Sequence, residues 1–312
     1  MNNQQPVIRG PIVSAADMKP HQDFFANLFS MESTEIRCCN ELFNSLSDGP
    51  IQTCFVATPK TPFGIRLWQF DPTSKDTVRD KKHGTQPDAL KVIDFYAPDF
   101  ETALQKTKTK GFAVQGDIAE YKTEDGVFRE AHLWRDDNVV CAILSGPKQF
   151  MKDFATIQDE VFSEPMAISA PVSRAADVLE FYNEVFGFKC LHEYQVKDNS
   201  FDALVGTENA ITLRASNLGT HLKAPFLGVI DYGISSSDTT SLKGRSRPPT
   251  RGLVGVEISV PNLDETLSKA VPENSHLLMP PTHIANYPPY GACVAAALEG
   301  PHGVLHFVLQ LL

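Results

Sequence analysis

Residues 91–112, KVIDFYAPDFETALQKTKTKGF, begin as an alternating apolar and polar run. The run turns at Ala97-Pro98-Asp99 and continues as a helical pattern that stops at Lys110-Gly111. Much the same phrase returns at 254–271, VGVEISVPNLDETLSKAV. Aligned on the turn, Asp94 matches Glu257 and Tyr96 matches Ser259. Each copy reads as a strand, a capped turn and an amphipathic helix, and such a repeat constrains architecture more than any single residue does.

The rest of the chain follows the same plan. Residues 6–14 read as a strand, and 21–31 as a helix with Phe24, Phe25, Leu28 and Met31 on one side. Strands are expected at 34–39, 52–58 and 64–70, then a polar loop to residue 88. After the helix of the opening phrase come strands at 113–115, 128–135 and 139–144, the last two joined by the turn Asp136-Asp137-Asn138. Residues 165–172 repeat the first strand and 173–188 the first helix, with Phe181-Tyr182 standing where Phe24-Phe25 stood. Strands are expected at 189–196, 201–205 and 210–214, followed by a long Gly/Ser-rich loop at 217–251. The last unit starts at Leu253 and ends on 304–312.

The pattern predicts an α+β fold of four units, each one strand, one helix and three strands. They are expected in two tandem domains: 1–147 (units 6–71 and 89–146) and 165–312 (units 165–216 and 252–312), joined by a linker helix at 148–164. A doubly wound parallel sheet is excluded, because helices do not alternate with single strands and no Gly-rich nucleotide loop follows a first strand.

Composition changes this picture little. At −10, the net charge argues against nucleic acid and anionic membranes as partners. No apolar run is long enough to span a bilayer, and the polar start lacks a secretory pattern. Two basic clusters, Lys106 with Lys108 and Lys110, and Arg79 with Lys81 and Lys82, read as solvated faces. The six cysteines form no CxxC pair and read as reduced core thiols of a cytoplasmic protein.

The helix VLEFYNEVFGF (178–188), the turns Ala97-Pro98-Asp99 and Val260-Pro261-Asn262, and Gly300-Pro301-His302-Gly303 before the last strand carry a resemblance. In register across four units, they resemble the vicinal oxygen chelate superfamily, which includes glyoxalase I, extradiol dioxygenases and bleomycin-resistance proteins. The resemblance implies paired units that form cups of curved sheet. It also implies a divalent metal held in a cup by His or Gln from first strands and Glu from last strands. The corresponding positions here are Ile8, Val92, Ala167 and Gly255, and Trp68, Ala142, Leu213 and Phe307. None can donate to a metal, whereas hard ions need several oxygen or imidazole ligands. The chain is therefore expected to use no metal cofactor, with a divalent metal as the runner-up.

Residues two apart on a strand share a face. This places Asp94 and Tyr96 with Arg66, Trp68 and Phe70 in an expected first cup, and Glu257 and Ser259 with Phe307, Leu305 and Leu309 in a second. A carboxylate facing an apolar hollow has a raised pKa unless it is paired, so Asp94 and Glu257 are the candidate acid/base residues. The bland reading pairs Asp94 with Arg66, and either pairs Glu257 with Arg214 or sets it at a domain interface. Tyr96, Ser259, Arg66, Trp68, Phe307 and Tyr290 are the candidate substrate-binding residues. His306 has the parity of the helix side, His302 is expected in solvent, and HIANYPPY (283–290) reads as a pocket rim or a rigid surface loop.

The leading expectation is a protein that binds an apolar or aromatic organic molecule, either as an acid/base isomerase or lyase or by sequestration alone. The alternatives are a metal-dependent dioxygenase, lyase or glyoxalase-like enzyme, and a scaffold with degenerate cups. Oligomeric state is not fixed by the pattern, and a homodimer is left open.

Overall fold

The computed structural model describes residues 5–312 apart from 43–44, 81–83, 209 and 274. Lys81 and Lys82 of the second basic cluster lie outside the described residues.

The first unit runs β1 (Val7–Ala15), α1 (Met18–Phe29), β2 (Glu32–Ser33), β3 (Arg37–Cys38), β4 (Ile51–Ala57) and β5 (Gly64–Phe70). The second is β6 (Val92–Tyr96), α2 (Phe100–Thr109), β7 (Gln115–Thr123), β8 (Gly126–Trp134) and β9 (Val140–Ser145). A single helical turn, α3 (Lys148–Met151), stands where a longer linker helix was expected. The third unit is β10 (Pro165–Pro171), α4 (Ala175–Phe186), β11 (Lys189–Val196), α5 (Asn199–Val205), β12 (Leu213–Gly219) and β13 (Phe226–Asp231). The fourth is β14 (Gly252–Ser259), α6 (Leu263–Ala270), β15 (His276–Ile284), β16 (Cys293–Glu299) and β17 (Leu305–Leu311).

The repeated turn phrase proves to be a helix cap. Asp99 accepts from the Thr102 amide at the start of α2, and Asn262 accepts from the Glu265 amide at the start of α6. In both copies a side-chain oxygen three residues back satisfies an amide that the helix cannot. Helix α4 stops at Gly187, whose φ of 68° suits a residue without Cβ.

Two expectations fail in the third unit. Residues 201–205 belong to helix α5, not a strand. Asp198 caps that helix through the Ser200 amide, and Gly206 (φ 78°) ends it. The run is too short for its period to separate the two states. Within the expected loop at 217–251, Phe226–Asp231 is a central strand paired to both β10 and β12. The remaining 232–251 segment is anchored: Leu242 is buried, the Ser241 hydroxyl donates to Asp88, and Arg245 donates to the Thr77 carbonyl.

Among the described residues the strands form two sheets. One has the order β15-β16-β17-β14-β1-β5-β4-β2, with β3 beside β4; the other is β11-β12-β13-β10-β6-β9-β8-β7. The four units therefore do not pair in sequence order. The first joins the fourth through antiparallel β1 and β14, and the second joins the third through antiparallel β6 and β10. This corrects the expected cup pairing, in which units one and two shared a cup. Sequence repeats show which units are alike, but not which edges meet.

The backs of both sheets share one apolar cluster with helices α1, α2, α4 and α6. Phe29 of α1 stacks on Phe95 of β6 with ring centres 3.8 Å apart, which ties the first unit to the second sheet. His306 lies on this side as expected, 2.7 Å from the Tyr182 hydroxyl of α4. His302 is buried beside the same hydroxyl instead of solvated, and Arg79 is buried against the carbonyls of Ala89 and Leu90. The cysteines are free; Cys39, Cys54, Cys141 and Cys293 are buried as expected, whereas Cys38 and Cys190 are exposed.

Candidate ligand cup

The two hollows have opposite contents. In the first sheet, Arg66 on β5 and Glu257 on β14 face each other with no solvent exposure. The guanidinium donates to both carboxylate oxygens, at 2.9 and 3.3 Å, and to the Pro288 carbonyl at 2.7 Å. The Tyr287 hydroxyl donates to Glu257 at 2.9 Å, and the Tyr287 ring lies 4.0 Å from the guanidinium carbon. Trp68 and Phe307 meet edge to face beneath them, within an apolar cluster that also holds Phe70, Leu305 and Leu309. Burial alone would lower the Arg66 pKa, but Glu257 outweighs it and holds the guanidinium firmly charged. A buried ion pair is tolerated when its geometry is complete and its spare donors are satisfied. Here every nitrogen of the guanidinium and both carboxylate oxygens have a partner within the packed hollow.

The expected partner of Glu257, Arg214, is exposed on β12 in the other sheet, and Arg66 is not the partner of Asp94. The HIANYPPY stretch is thus neither a rim nor a surface loop throughout: its Tyr287 fills the cup. Tyr290 is half-buried with its ring edge-on to Phe55, and Ser259 accepts from Arg9 at the far end of β14.

The second sheet holds an open hollow. It offers about 90 Å³ to the centre of a water-sized sphere, several times the roughly 10–15 Å³ that one water needs. Its walls are apolar and aromatic, with Phe128, Phe154, Phe201, Phe226, Leu213 and Ile230 among them. Lys91, Asp94, Glu130, His132, Ser169 and Tyr232 supply the polar groups. Asp94, alone of the two candidate acids, faces open space. Its neighbour Tyr96 is fully buried in the apolar cluster that supplies the cavity walls but does not itself line the cavity, and its hydroxyl has no partner among the described residues.

Four of these polar groups are held in defined roles. The Ser169 hydroxyl on β10 donates to Asp94 on β6 at 3.1 Å. Burial, with the Glu130 charge nearby, pushes the Asp94 carboxyl up to about 8. Glu130 and His132 share one face of β8, with their side chains 2.9 Å apart. Burial raises the Glu130 carboxyl, but His132, the Tyr121 hydroxyl at 3.0 Å and Lys91 together hold it below its usual value. Burial lowers the His132 imidazole, so the pair rests as carboxylate and neutral ring. At neutral pH the cup therefore contains a protonated acid, Asp94, and an ionised one, Glu130. Two carboxyls whose environments push their pKa values apart are the usual arrangement for acid and base roles.

Lys91 and Glu130 were not among the sequence candidates. Glu130 was within reach, because it shares the parity of His132 and Trp134. Lys91 was not: it precedes β6, and strand alternation would put it on the helix side with Ile93.

The chelating set that the resemblance implies does not fit. Val92 and Ala167 on the walls of this cup, and Ala142 packed against Val92, carry no donor. The third unit's last strand is β13 rather than the strand of Leu213, and its residue opposite Ser169 is Gly228. Ile8 packs on the helix side. At Gly255 a Cβ would lie 2.3 Å from the Leu305 carbonyl oxygen, so no ligand side chain could be placed there. Among the described residues no three His, Cys, Asp or Glu side chains converge as a metal site.

No protein-family model and no curated protein matches the chain. Solved structures do. Glyoxalase I from Zea mays superposes with a TM-score of 0.64 at 14% identity, covering 98% of this chain and 92% of that one. A protein from Bacillus subtilis, named only as a proposed dioxygenase, superposes with a TM-score of 0.58 at 8% identity, covering 97% of this chain and 84% of its own. At such identities the likeness concerns the path of the backbone, and it extends over nearly the whole of each chain. Four repeated units, two curved sheets and this end-to-end likeness place the chain in the vicinal oxygen chelate fold.

Proposed function

We propose that the chain binds a small organic molecule in the hollow of the second sheet and moves a proton on it, with Asp94 as acid and Glu130 as base. The reading rests on the contrast between the cups. One is packed by Tyr287, Trp68 and Phe307 around a saturated ion pair, and the other is open and lined by unlike carboxyls. Apolar walls with a few convergent polar groups are the usual form of a small-molecule site. The reaction class is isomerisation or elimination beside a carbonyl. Glu130 removes a carbon-bound proton, and Asp94 donates to the oxygen on which charge develops.

Glu257 has no part in this reading, because it is paired with Arg66 inside the filled hollow and does not line the open one. No step is assigned to a metal, because the residues at the chelating positions cannot hold one. Free thiols support placement in a reducing compartment such as the cytoplasm.

Exchange of substrate protons for solvent deuterium tests the proposal. Small enolisable ketones and aldehydes are followed by NMR in deuterated buffer with wild-type protein, Asp94→Asn and the double variant Arg66→Met with Glu257→Leu, which strands no charge. The expected result is enzyme-dependent exchange that falls about 100-fold or more in Asp94→Asn and stays within a few-fold of wild type in the double variant. Equal exchange in wild type and Asp94→Asn would remove the catalytic reading and leave sequestration.

A further inference from the structure

We infer that Lys91 is a nucleophilic amine that forms an imine with aldehydes or ketones entering the second-sheet cup. The inference deepens the function proposed above and rests on that cup being the ligand site. It comes from how the chain holds this side chain. Lys91 is 4% exposed and is one of the residues that line the cavity. Among the described residues the amine has no carboxylate within ion-pair distance. Its one hydrogen-bond partner is the hydroxyl of Tyr232, which follows β13, at 2.9 Å. A buried ammonium without a counter-ion is costly, and neutralisation is the ordinary escape.

The surroundings reinforce this. Arg79 is fixed just behind Lys91, donating at 2.8 Å to the carbonyls of Ala89 and Leu90, the two residues before it. Burial first, then the Arg79 charge, brings the Lys91 amine down to about 7, against the opposing pull of Glu130 and Asp94. Desolvation and a neighbouring cation are the two devices that activate a lysine for attack on a carbonyl carbon. The backbone is pinned as well, since the Lys91 amide bonds the Ser169 carbonyl at 2.8 Å and so joins β10 just ahead of β6.

The chemistry balances with the groups present. The neutral amine adds to the carbonyl carbon; a C–N bond forms, the π pair moves to oxygen, and a proton passes from nitrogen to that oxygen. The carbinolamine hydroxyl then leaves as water, taking a proton from the Asp94 carboxyl. The products are a protonated imine on Lys91 and an Asp94 carboxylate. Addition of water reverses each step and returns the proton to Asp94. While the iminium stands, the adjacent carbon is acidified, and the Glu130 carboxylate that lines the same cavity is the base for its proton.

The test is competitive reductive methylation of the folded wild-type protein. Limiting formaldehyde and cyanoborohydride are added at pH 7, and each lysine is quantified by peptide mass spectrometry. Formaldehyde is small enough to enter the cavity whatever the natural ligand is. The expected result is that Lys91 is labelled about tenfold or more faster than exposed Lys60 and Lys152. Labelling of Lys91 at or below the rate of those lysines would overturn the inference. That failure, with Asp94-dependent deuterium exchange intact, would remove the imine and keep proton transfer. Failure of both would remove the cup as a reactive site.

Discussion

At the scale of single residues, the two hollows make opposite demands on charge. In the first, removing one partner of Arg66 and Glu257 leaves the other buried and uncompensated. Glu257→Ala is expected to lower stability by about 3–5 kcal/mol, and urea denaturation measures it. The double change Arg66→Met with Glu257→Leu is expected to cost less than either single change, because no charge is then stranded. In the second hollow the prediction concerns pH. The Asp94 carboxyl is raised from 3.8 to about 8 on folding, so the folded state holds its proton more tightly. Its stabilising contribution is complete below pH 3.8 and is lost as pH rises through about 8. Lys91 is lowered from 10.5 to about 7, so its contribution is complete above pH 10.5 and is lost as pH falls through about 7. His132, His302 and His306 are also held below their usual value and add stability that rises through pH 6.5, so the readout is the difference between variants. From pH 5 to 8 the urea midpoint of wild type should fall relative to that of Asp94→Asn, and above about pH 8 the difference should level off. A difference that does not change with pH would contradict the assignment.

At the scale of elements, most of the chain was legible, and the failures have physical causes. The Pro-Asp and Pro-Asn turns announced strand-to-helix junctions because the same side chain ends one pattern and caps the next. Asp99→Ala should therefore cost about 1 kcal/mol, whereas substitution of solvent-facing Glu101 should be near neutral, measured by thermal unfolding. The segment 201–205 was misread because five apolar-rich residues fit either period. Strand β13 was missed because glycine and proline near it signalled a loop, while its pairing on both sides came from distant segments. The Tyr287 stretch shows the same limit: prolines and tyrosines suggested a surface, but the residues that bury it lie on β5 and β14. Tyr287→Phe removes a hydrogen bond to a buried carboxylate and is expected to destabilise by roughly 1.5–3 kcal/mol.

At the scale of the whole molecule, four similar units were legible from repetition and their pairing was not. Asp94 and Glu257 occupy equivalent places in the repeat, yet one lines an open cup and the other is locked in a filled one. Equivalence in sequence is equivalence of backbone, and the fate of each acid depends on which unit lies opposite. The shared cluster between the sheets also predicts one cooperative unfolding transition, with fluorescence and circular dichroism coinciding, in place of the two steps that separable tandem domains would give. The second cup carries the functional reading, so the most direct measurement is a crystallographic soak with small aromatic and aliphatic carbonyl compounds. The account expects density inside the second sheet, in contact with Lys91, Asp94 or Tyr232, and none between Arg66 and Phe307. A compound seated against Glu257 after displacing Tyr287, with the second hollow left unoccupied, would contradict it.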